Sequence, residues 1–398
     1  LHMKYIVLVG DGMPDLPIKE LDGKTPLEAA DTPNMDMVAS SGMCGMANFV
    51  PEKFPPASDV ANLSIFGYDP NKYYTGRAPF EAASMGIDLK DEDVAFRCNL
   101  VTISEGIMSD YSAGHITSFE AKQIISEIDS ELSSDRIKFY PGVSYRHLCV
   151  MHNGPRKVKC TPPHDITGKS IEEYLPQGSG ALLIRELMEK ALPVLEKSAV
   201  NKKRKALGNK PANSIWLWGQ GTKPVMPSYQ KKYSLSGSVI TAVDLIKGIG
   251  VYAGLDVINV PGATGYLDTN YKGKAEYALK SLAVKDFVFV HVESPDETGH
   301  NGDIKGKVKA IEDFDKLVVG TVLAGLKGFP EYRLLVTSDH STPISMKTHS
   351  RGLVPFAAMG SGIKKGKTKR FSEKDISSSQ LVVQNGHELV KKLFKEGF

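Results

Sequence analysis

The chain has 398 residues, with Lys+Arg 49 against Asp+Glu 46, a net charge of +3, 41% hydrophobic and 24% charged residues. That balance suits a globular protein and is too mild to mark a nucleic-acid or membrane-surface partner, while the length implies two domains. The four cysteines (Cys44, Cys98, Cys149, Cys160) contain no C-x-x-C pair, which argues against a disulfide framework or a structural zinc site and fits a reducing cytoplasm.

In chain order, Leu1 and His2 read as remnants of cloning before Met3, and no signal peptide is expected. Tyr5 to Val9 is a short apolar run expected to form a buried parallel strand, and it ends in Gly10-Asp11-Gly12. Pro55-Pro56-Ala57-Ser58 precedes a helical pattern of Val60, Leu63, Ile65 and Phe66, which places Ser58 at a helix N-terminus. Two readings stand side by side there: an ordinary N-cap, or a nucleophile facing a phosphate held by free backbone N–H groups.

From Arg77 to Gly221 the chain changes character. Strands are expected at Val94–Ile103 and Ser144–Met151 and helices at Ser118–Leu132 and Gly180–Leu195, joined by long polar loops. The basic run Asn201-Lys-Lys-Arg-Lys205 reads as a solvated helix end, with a phosphate-steering patch as the alternative. Gly221 to Ser238 reads as a linker. Apolar strands return at Phe287–Val292 and Arg333–Thr337, separated by a helical pattern over Lys305–Leu326. Residues 3–76 and 222–398 are thus expected to form one discontinuous domain, a doubly wound, mostly parallel α/β sheet, with 77–221 inserted as a smaller α/β domain.

Each long strand ends in a polar loop with a carboxylate: Asp11, then Glu293-Ser-Pro-Asp296, then Ser338-Asp339-His340. In such sheets ligands bind beyond the carboxyl ends of the strands. With His300 and His349 these loops supply three carboxylates and three imidazoles, a donor set suited to two divalent ions such as Mn²⁺, Mg²⁺ or Zn²⁺. Asp296 and His300 straddle a glycine, so a single loop is expected to bring both to one ion. A metal also supplies what a serine nucleophile lacks, because it lowers the pKa of a coordinated hydroxyl.

These residues resemble a known family. Val9-Gly-Asp11-Gly12, Ser58-Asp-Val-Ala-Asn-Leu, Ser294-Pro-Asp296-Glu-Thr-Gly-His300, Thr337-Ser-Asp339-His340-Ser-Thr-Pro and His349 followed by Val354-Pro-Phe356 are similar to segments of the cofactor-independent phosphoglycerate mutases, archaeal-type branch, within the alkaline phosphatase superfamily. Gly76-Arg-Ala-Pro-Phe-Glu-Ala, Val94-Ala-Phe-Arg97, Pro141-Gly-Val-Ser-Tyr-Arg146, Trp216-Leu-Trp-Gly-Gln-Gly and Val260-Pro-Gly-Ala-Thr-Gly extend the resemblance along the chain. It implies an alkaline-phosphatase-like fold and a small phosphoglycerate substrate, with no nucleic-acid or membrane partner. It implies a place in glycolysis or gluconeogenesis, a phosphoserine formed on Ser58, and no need for bisphosphoglycerate. One metal would be held by Asp296, His300 and His349, the other by Asp11, Ser58, Asp339 and His340, with Mn²⁺ the first expectation.

In the insertion, which would close over the metal domain, the resemblance gives His115 a phosphate contact and Asp165 the acid–base role toward the sugar-acid hydroxyls. Arg97, Arg146 and Lys274 are candidates for the carboxylate and phosphate, although surface ion pairing accounts for each singly. The alternative function is a metal-dependent phosphatase or phosphodiesterase of the same superfamily, and a non-catalytic binding protein on the same fold is a further rival.

Overall fold

Runs of apolar, β-branched residues become buried strands throughout the computed structural model, which describes residues 3–395; Leu1 and His2 lie outside the described residues. The strands are β1 (Lys4–Gly10), β2 (Met43–Ala47), β3 (Asp93–Ser104), β4 (Ile107–Asp110), β5 (Ile137–Tyr140), β6 (Arg146–His152), β7 (Ser214–Thr222), β8 (Gly237–Ile240), β9 (Asp256–Val257), β10 (Phe287–Val292), β11 (Tyr332–Thr337), β12 (Val354–Gly360) and β13 (Val382–Val383). The chain divides into two compact units: the part up to Tyr74 together with the part from Met226 onward, and Thr75–Val225.

The first unit holds an eight-stranded sheet in the order β13-β2-β12-β11-β1-β10-β8-β9. Its centre is parallel: β1 lies between β10 and β11, β8 continues beside β10, and β9 beside β8. Strand β12 runs antiparallel to β11, and β2 antiparallel to β12. Helices bury Ala275, Ala278, Leu282, Val318, Val322 and Leu326 against Ile6, Leu8, Val288, Val290, Leu334 and Val336. A strand covered on both faces has no polar side to show, which is why Tyr5–Val9 reads as unbroken apolar sequence. Register then decides where the chemistry goes. Gly10 pairs with Val292 and Val9 with Thr337, so the residues that follow the three strands emerge side by side at one sheet edge.

Two expectations are revised here. The helix expected over Lys305–Leu326 is continuous but contains a π-helical turn, Phe314–Val319, between Ile304–Asp313 and Gly320–Leu326. That turn holds the buried Asp315, which accepts the amide N–H of Met35 at 2.6 Å and of Asn34 at 3.2 Å. It serves as the cap for the helix Pro33–Ser41, whose own N-cap Thr32 makes no side-chain cap bond. The stretch read as a linker contains the helix Tyr229–Tyr233, and the buried Tyr229 packs 4.8 Å from Phe287 and donates its hydroxyl to Phe66 O at 2.8 Å.

The second unit holds the other five strands, and every pairing in them is antiparallel. The helix Ser118–Leu132 starts from a capping box formed by Thr117 and Glu120, and buries Ala121, Ile124, Ile125 and Ile128. With the helix Ala181–Lys197 it packs on Phe96, Cys98 and Leu100 of β3. The basic run lies in the helix Ala199–Ala206, but Arg204 is buried, pairing with Glu120 at 2.8 Å and donating to Ala113 O at 2.8 Å. That arginine is structural, contrary to the solvated reading. Among the described residues no helix is long and apolar enough to cross a membrane.

Candidate active site

Asp11 follows β1, and Gly12 beside it adopts φ +64°. A Cβ on Gly12 would stand 2.6 Å from Thr342 Oγ1 and 2.8 Å from Asp296 Cα, so only glycine lets the loops close this tightly. The Gly12 N–H donates to Asp339 Oδ1 at 3.1 Å. Beyond β10 the expected loop is instead a helix, Ser294–Asn301, with Pro295 in its first turn. Asp296 and His300 are therefore one helical turn apart on the same face, a firmer way of aiming both at one point. Beyond β11, Asp339 and His340 are buried, and Thr342 donates its hydroxyl to Asp296 Oδ1.

Ser58 is the first residue of the helix Ser58–Ile65, whose N-cap is Ala57 and which no side chain caps. Its hydroxyl instead lies 3.0 Å from His340 Nε2. Asn62, one turn on, donates to Ser58 O and to Asp339 Oδ2, both at 2.9 Å.

The imidazoles show what the cluster is built to hold. His300 Nδ1 lies 3.0 Å from Lys347 O and His349 Nδ1 3.3 Å from Pro56 O. A carbonyl only accepts, so each Nδ1 carries the proton. Their Nε2 atoms then face each other at 3.0 Å, with Asp296 Oδ2 3.2 Å from His300 Nε2 and Asp296 Oδ1 3.5 Å from His349 Nε2. Two lone pairs aimed at one spot beside a carboxylate need a cation or a proton between them, and the second nitrogen anchored on a carbonyl is typical of metal-ligating histidine.

The neighbouring half is short of positive charge. Asp11 Oδ1 is buried without a hydrogen-bond partner among the described residues, with His340 Nε2 3.5 Å away. Burial, then the charges of Asp339 and Asp296, pushes the Asp11 carboxyl well above its ordinary value. Burial also pushes Asp296 upward, but hydrogen bonds from His300 and His349 outweigh it and hold the carboxyl well below the usual range. The hydrogen bond to Asp296 raises His300 to about 9, whereas burial lowers His340. Residues grouped closely enough to share an ion are Asp296, His300 and His349; Asp11, Asp296 and His340; and Asp11, His291 and Asp339. The donor set and the orphaned Asp11 oxygen both fit divalent metal.

His291 was not singled out in the sequence because it sits inside the apolar run of β10, fully buried, its Nε2 2.9 Å from Asp11 Oδ2. One imidazole in an otherwise apolar strand beside an acidic loop is the signal that could have found it. Burial pushes its pKa down to about 3. Lys307 was also missed; fully buried, it pairs with Asp15 at 2.7 Å and donates to Thr342 O at 2.8 Å, fastening the loops after β1 and β11 together. Lys274 is fully buried too, donating to His291 O at 3.2 Å, and burial lowers it to about 8 against the opposing charge of Glu293.

In the second unit, Arg97 is buried on β3 with its guanidinium 4.4 Å from the Trp218 ring centre and Nε 2.9 Å from Glu81 Oε2. Burial lowers its pKa to about 10. Arg146 opens β6 opposite Asn99, on the same sheet face as Arg97, and lies 5.4 Å from the Tyr145 ring. His164 stands 5.3 Å from Trp218, and its Nε2 is 3.6 Å from Asp165 Oδ1. Arg97 and Arg146 thus share one sheet face, and the Asp165 side chain, beside His164, is 60% exposed. His115 is exposed at φ +50°, its N–H donating to Ser112 Oγ at 3.1 Å, and its imidazole makes no described contact with that group.

The fold and the first-unit cluster define an α/β enzyme with a serine, imidazoles and carboxylates gathered at the carboxyl edge of its sheet. The chain is 57% identical over 89% of its length to the 2,3-bisphosphoglycerate-independent phosphoglycerate mutase of Methanosarcina acetivorans, covering 90% of that protein. It is 52% identical over 99% of its length to that of Methanosarcina mazei, covering 100%. The chain belongs to the family of 2,3-bisphosphoglycerate-independent phosphoglycerate mutases. The family model of that description matches residues 39–201. Among solved structures it resembles the PH0037 protein of Pyrococcus horikoshii (32% identity, TM-score 0.84, covering 100% of this chain and 99% of that one). It also resembles the cofactor-independent phosphoglycerate mutase of Thermoplasma acidophilum (26% identity, TM-score 0.67, 98% of both chains).

Proposed function

We propose that the chain interconverts 3-phosphoglycerate and 2-phosphoglycerate through a phosphoserine on Ser58, at a centre holding two divalent ions. Family membership supports the substrate. The observation that carries the mechanism is the Ser58 hydroxyl 3.0 Å from His340 Nε2, beside Asp11 and Asp339. Asp296, His300 and His349 would hold one ion, and Asp11, Asp339 and His340 with Ser58 the other, Mn²⁺ being the first expectation. Bound there, such ions lower the pKa of a hydroxyl and screen phosphoryl oxygens.

Ser58 Oγ gives up its proton and forms a bond to phosphorus as the bond to the glycerate oxygen breaks, and the released oxygen takes up one proton to become a hydroxyl. Return of the group to the other oxygen regenerates Ser58. Asp165 would move the proton between the two hydroxyls. Arg97 and Arg146 would hold the anionic groups of the glycerate, for which a guanidinium fork suits better than an ammonium. His115 and Lys274 would contact phosphate.

The test is an enolase-coupled assay of 3-phosphoglycerate without bisphosphoglycerate. Activity is expected to vanish on exhaustive chelation and return with Mn²⁺. Activity that persists when elemental analysis finds no metal overturns the binuclear reading.

Protons should compete with that metal in a defined direction. In the metal-free protein His300 is raised to about 9, above the ordinary 6.5, by Asp296. The charged pair stabilises the metal-free fold fully below about 6.5, and the contribution is lost as pH rises through about 9. Below about pH 9 an ion must displace this proton, so Mn²⁺ affinity should rise by up to about tenfold per pH unit and then level off. Calorimetric titration between pH 6.5 and 9.5 measures it, and pH-independent affinity would remove His300 from the ligand set.

A further inference from the structure

Four imidazoles surround the centre, and one is turned the other way round. His300 and His349 each give an Nδ1 proton to a carbonyl. His340 Nδ1 faces Thr342 Oγ1 at 3.3 Å, and that hydroxyl spends its own proton on Asp296, so His340 Nδ1 donates as well. In their neutral forms all three therefore carry the lone pair on Nε2, the atom a cation would meet.

His291 differs. Its Nδ1 faces Thr241 Oγ1 at 3.2 Å. That oxygen already accepts the Val243 N–H at 3.1 Å, and Thr241 is 4% exposed. A buried hydroxyl proton needs an acceptor, and among the described residues His291 Nδ1 is the only one Thr241 reaches. The proton on His291 therefore sits on Nε2, which points at Asp11 Oδ2 from 2.9 Å.

We propose that Thr241 and His291 form a positioning relay for Asp11. Thr241 fixes the imidazole with its hydrogen on Nε2, and His291 holds Asp11 Oδ2 as a hydrogen-bond donor, leaving Oδ1 to face the cation. His291 lies close enough to Asp11 and Asp339 to join a shared ligand group, but a protonated Nε2 has no lone pair to give. His291 is thus a positioning residue and not a ligand. The backbone supports the geometry, since Lys274 donates to His291 O and Asp11 N to Val292 O at 2.9 Å. The relay rests on the proposal above that Asp11 holds an ion.

The test is calorimetric titration of the metal-free full chain with Mn²⁺. His291→Leu should weaken binding by about 10–100-fold, the range for lost partners of metal ligands. Thr241→Val should weaken it in the same direction, and Thr241→Ser should restore it. His291→Gln keeps an amide N–H at the reach of Nε2 and should retain most of the affinity. Imidazole ¹⁵N shifts of the metal-free protein should report a ring protonated at Nε2. Thr241→Val binding like wild type, or a ring protonated at Nδ1, overturns the relay. So does His291→Gln losing as much as His291→Leu, because the imidazole would then be a ligand. If His291→Leu fails to fold, the Thr241 and Gln variants decide. A wild-type chain that binds no Mn²⁺ removes the metal reading and the relay together, a result distinct from variants that match a metal-binding wild type.

Discussion

Ser58→Ala is expected to abolish isomerisation and any release of inorganic phosphate together. In the proposed mechanism both need a phosphoryl group on the serine oxygen, and alanine offers no oxygen to carry it. The structure makes this substitution unusually easy to interpret. Ser58 is not the N-cap, and its side chain makes no bond to the backbone of its own helix. Losing it should therefore spare the roughly 1 kcal/mol that removal of a capping serine costs, and thermal unfolding should match wild type. Mn²⁺ binding by Asp296, His300 and His349 should persist as well. Phosphoglycerate carrying a ³²P label should mark the wild-type protein in an acid-stable manner and leave the variant unlabelled. A Ser58→Ala chain that still makes 2-phosphoglycerate would end the phosphoserine mechanism.

Asp165→Ala should act on only one of the two outcomes. A hydrolase needs the serine and its ions, but a mutase must also keep the glycerate through a half-reaction and present its other hydroxyl. Loss of a group that moves that proton should lower isomerisation by about 10²–10⁴-fold, the usual contribution of general acid–base catalysis. Labelling of Ser58 should survive, and phosphate release should rise relative to isomerisation. The carboxylate is 60% exposed, with His164 Nε2 at 3.6 Å, so the change should leave folding intact. Following 2-phosphoglycerate and phosphate in one reaction gives both rates. Unchanged isomerisation would strike Asp165 from the mechanism.

Much of the first unit was legible because its strands carry the plainest signal a sequence has, short apolar runs each ending in an acid. Asp11, Asp339 and His340 follow from those runs and the parallel register. Less legible were groups whose role depends on which way they point. His291 looks like part of a strand until β8 brings Thr241 to one of its nitrogens and β1 brings Asp11 to the other. Asn62 looks like one polar residue in an apolar helix, yet it ties Ser58 to Asp339. The segment after β10 reads as a loop because Pro295 and Gly299 are poor helix interiors; in fact Pro295 occupies the first turn, where it is tolerated, and Gly299 faces Thr342 at a distance no side chain could accept. The antiparallel sheet of the second unit was hidden for another reason. Alternating strands and helices along a chain do not say which way successive strands run.

The position of β1 bears on how the protein emerges from the ribosome. It is made well before both neighbours in the sheet, β10 and β11, which begin only at Phe287 and Tyr332. At the usual pace of synthesis that is a wait of roughly 15 to 60 s. During that time a strand buried on both faces has no partner, while all five strands of the intervening sheet are complete once Thr222 has emerged. The nascent chain should therefore pass through a stage with a finished inserted sheet and an unpaired, apolar β1, a stage at which exposed apolar surface invites a chaperone.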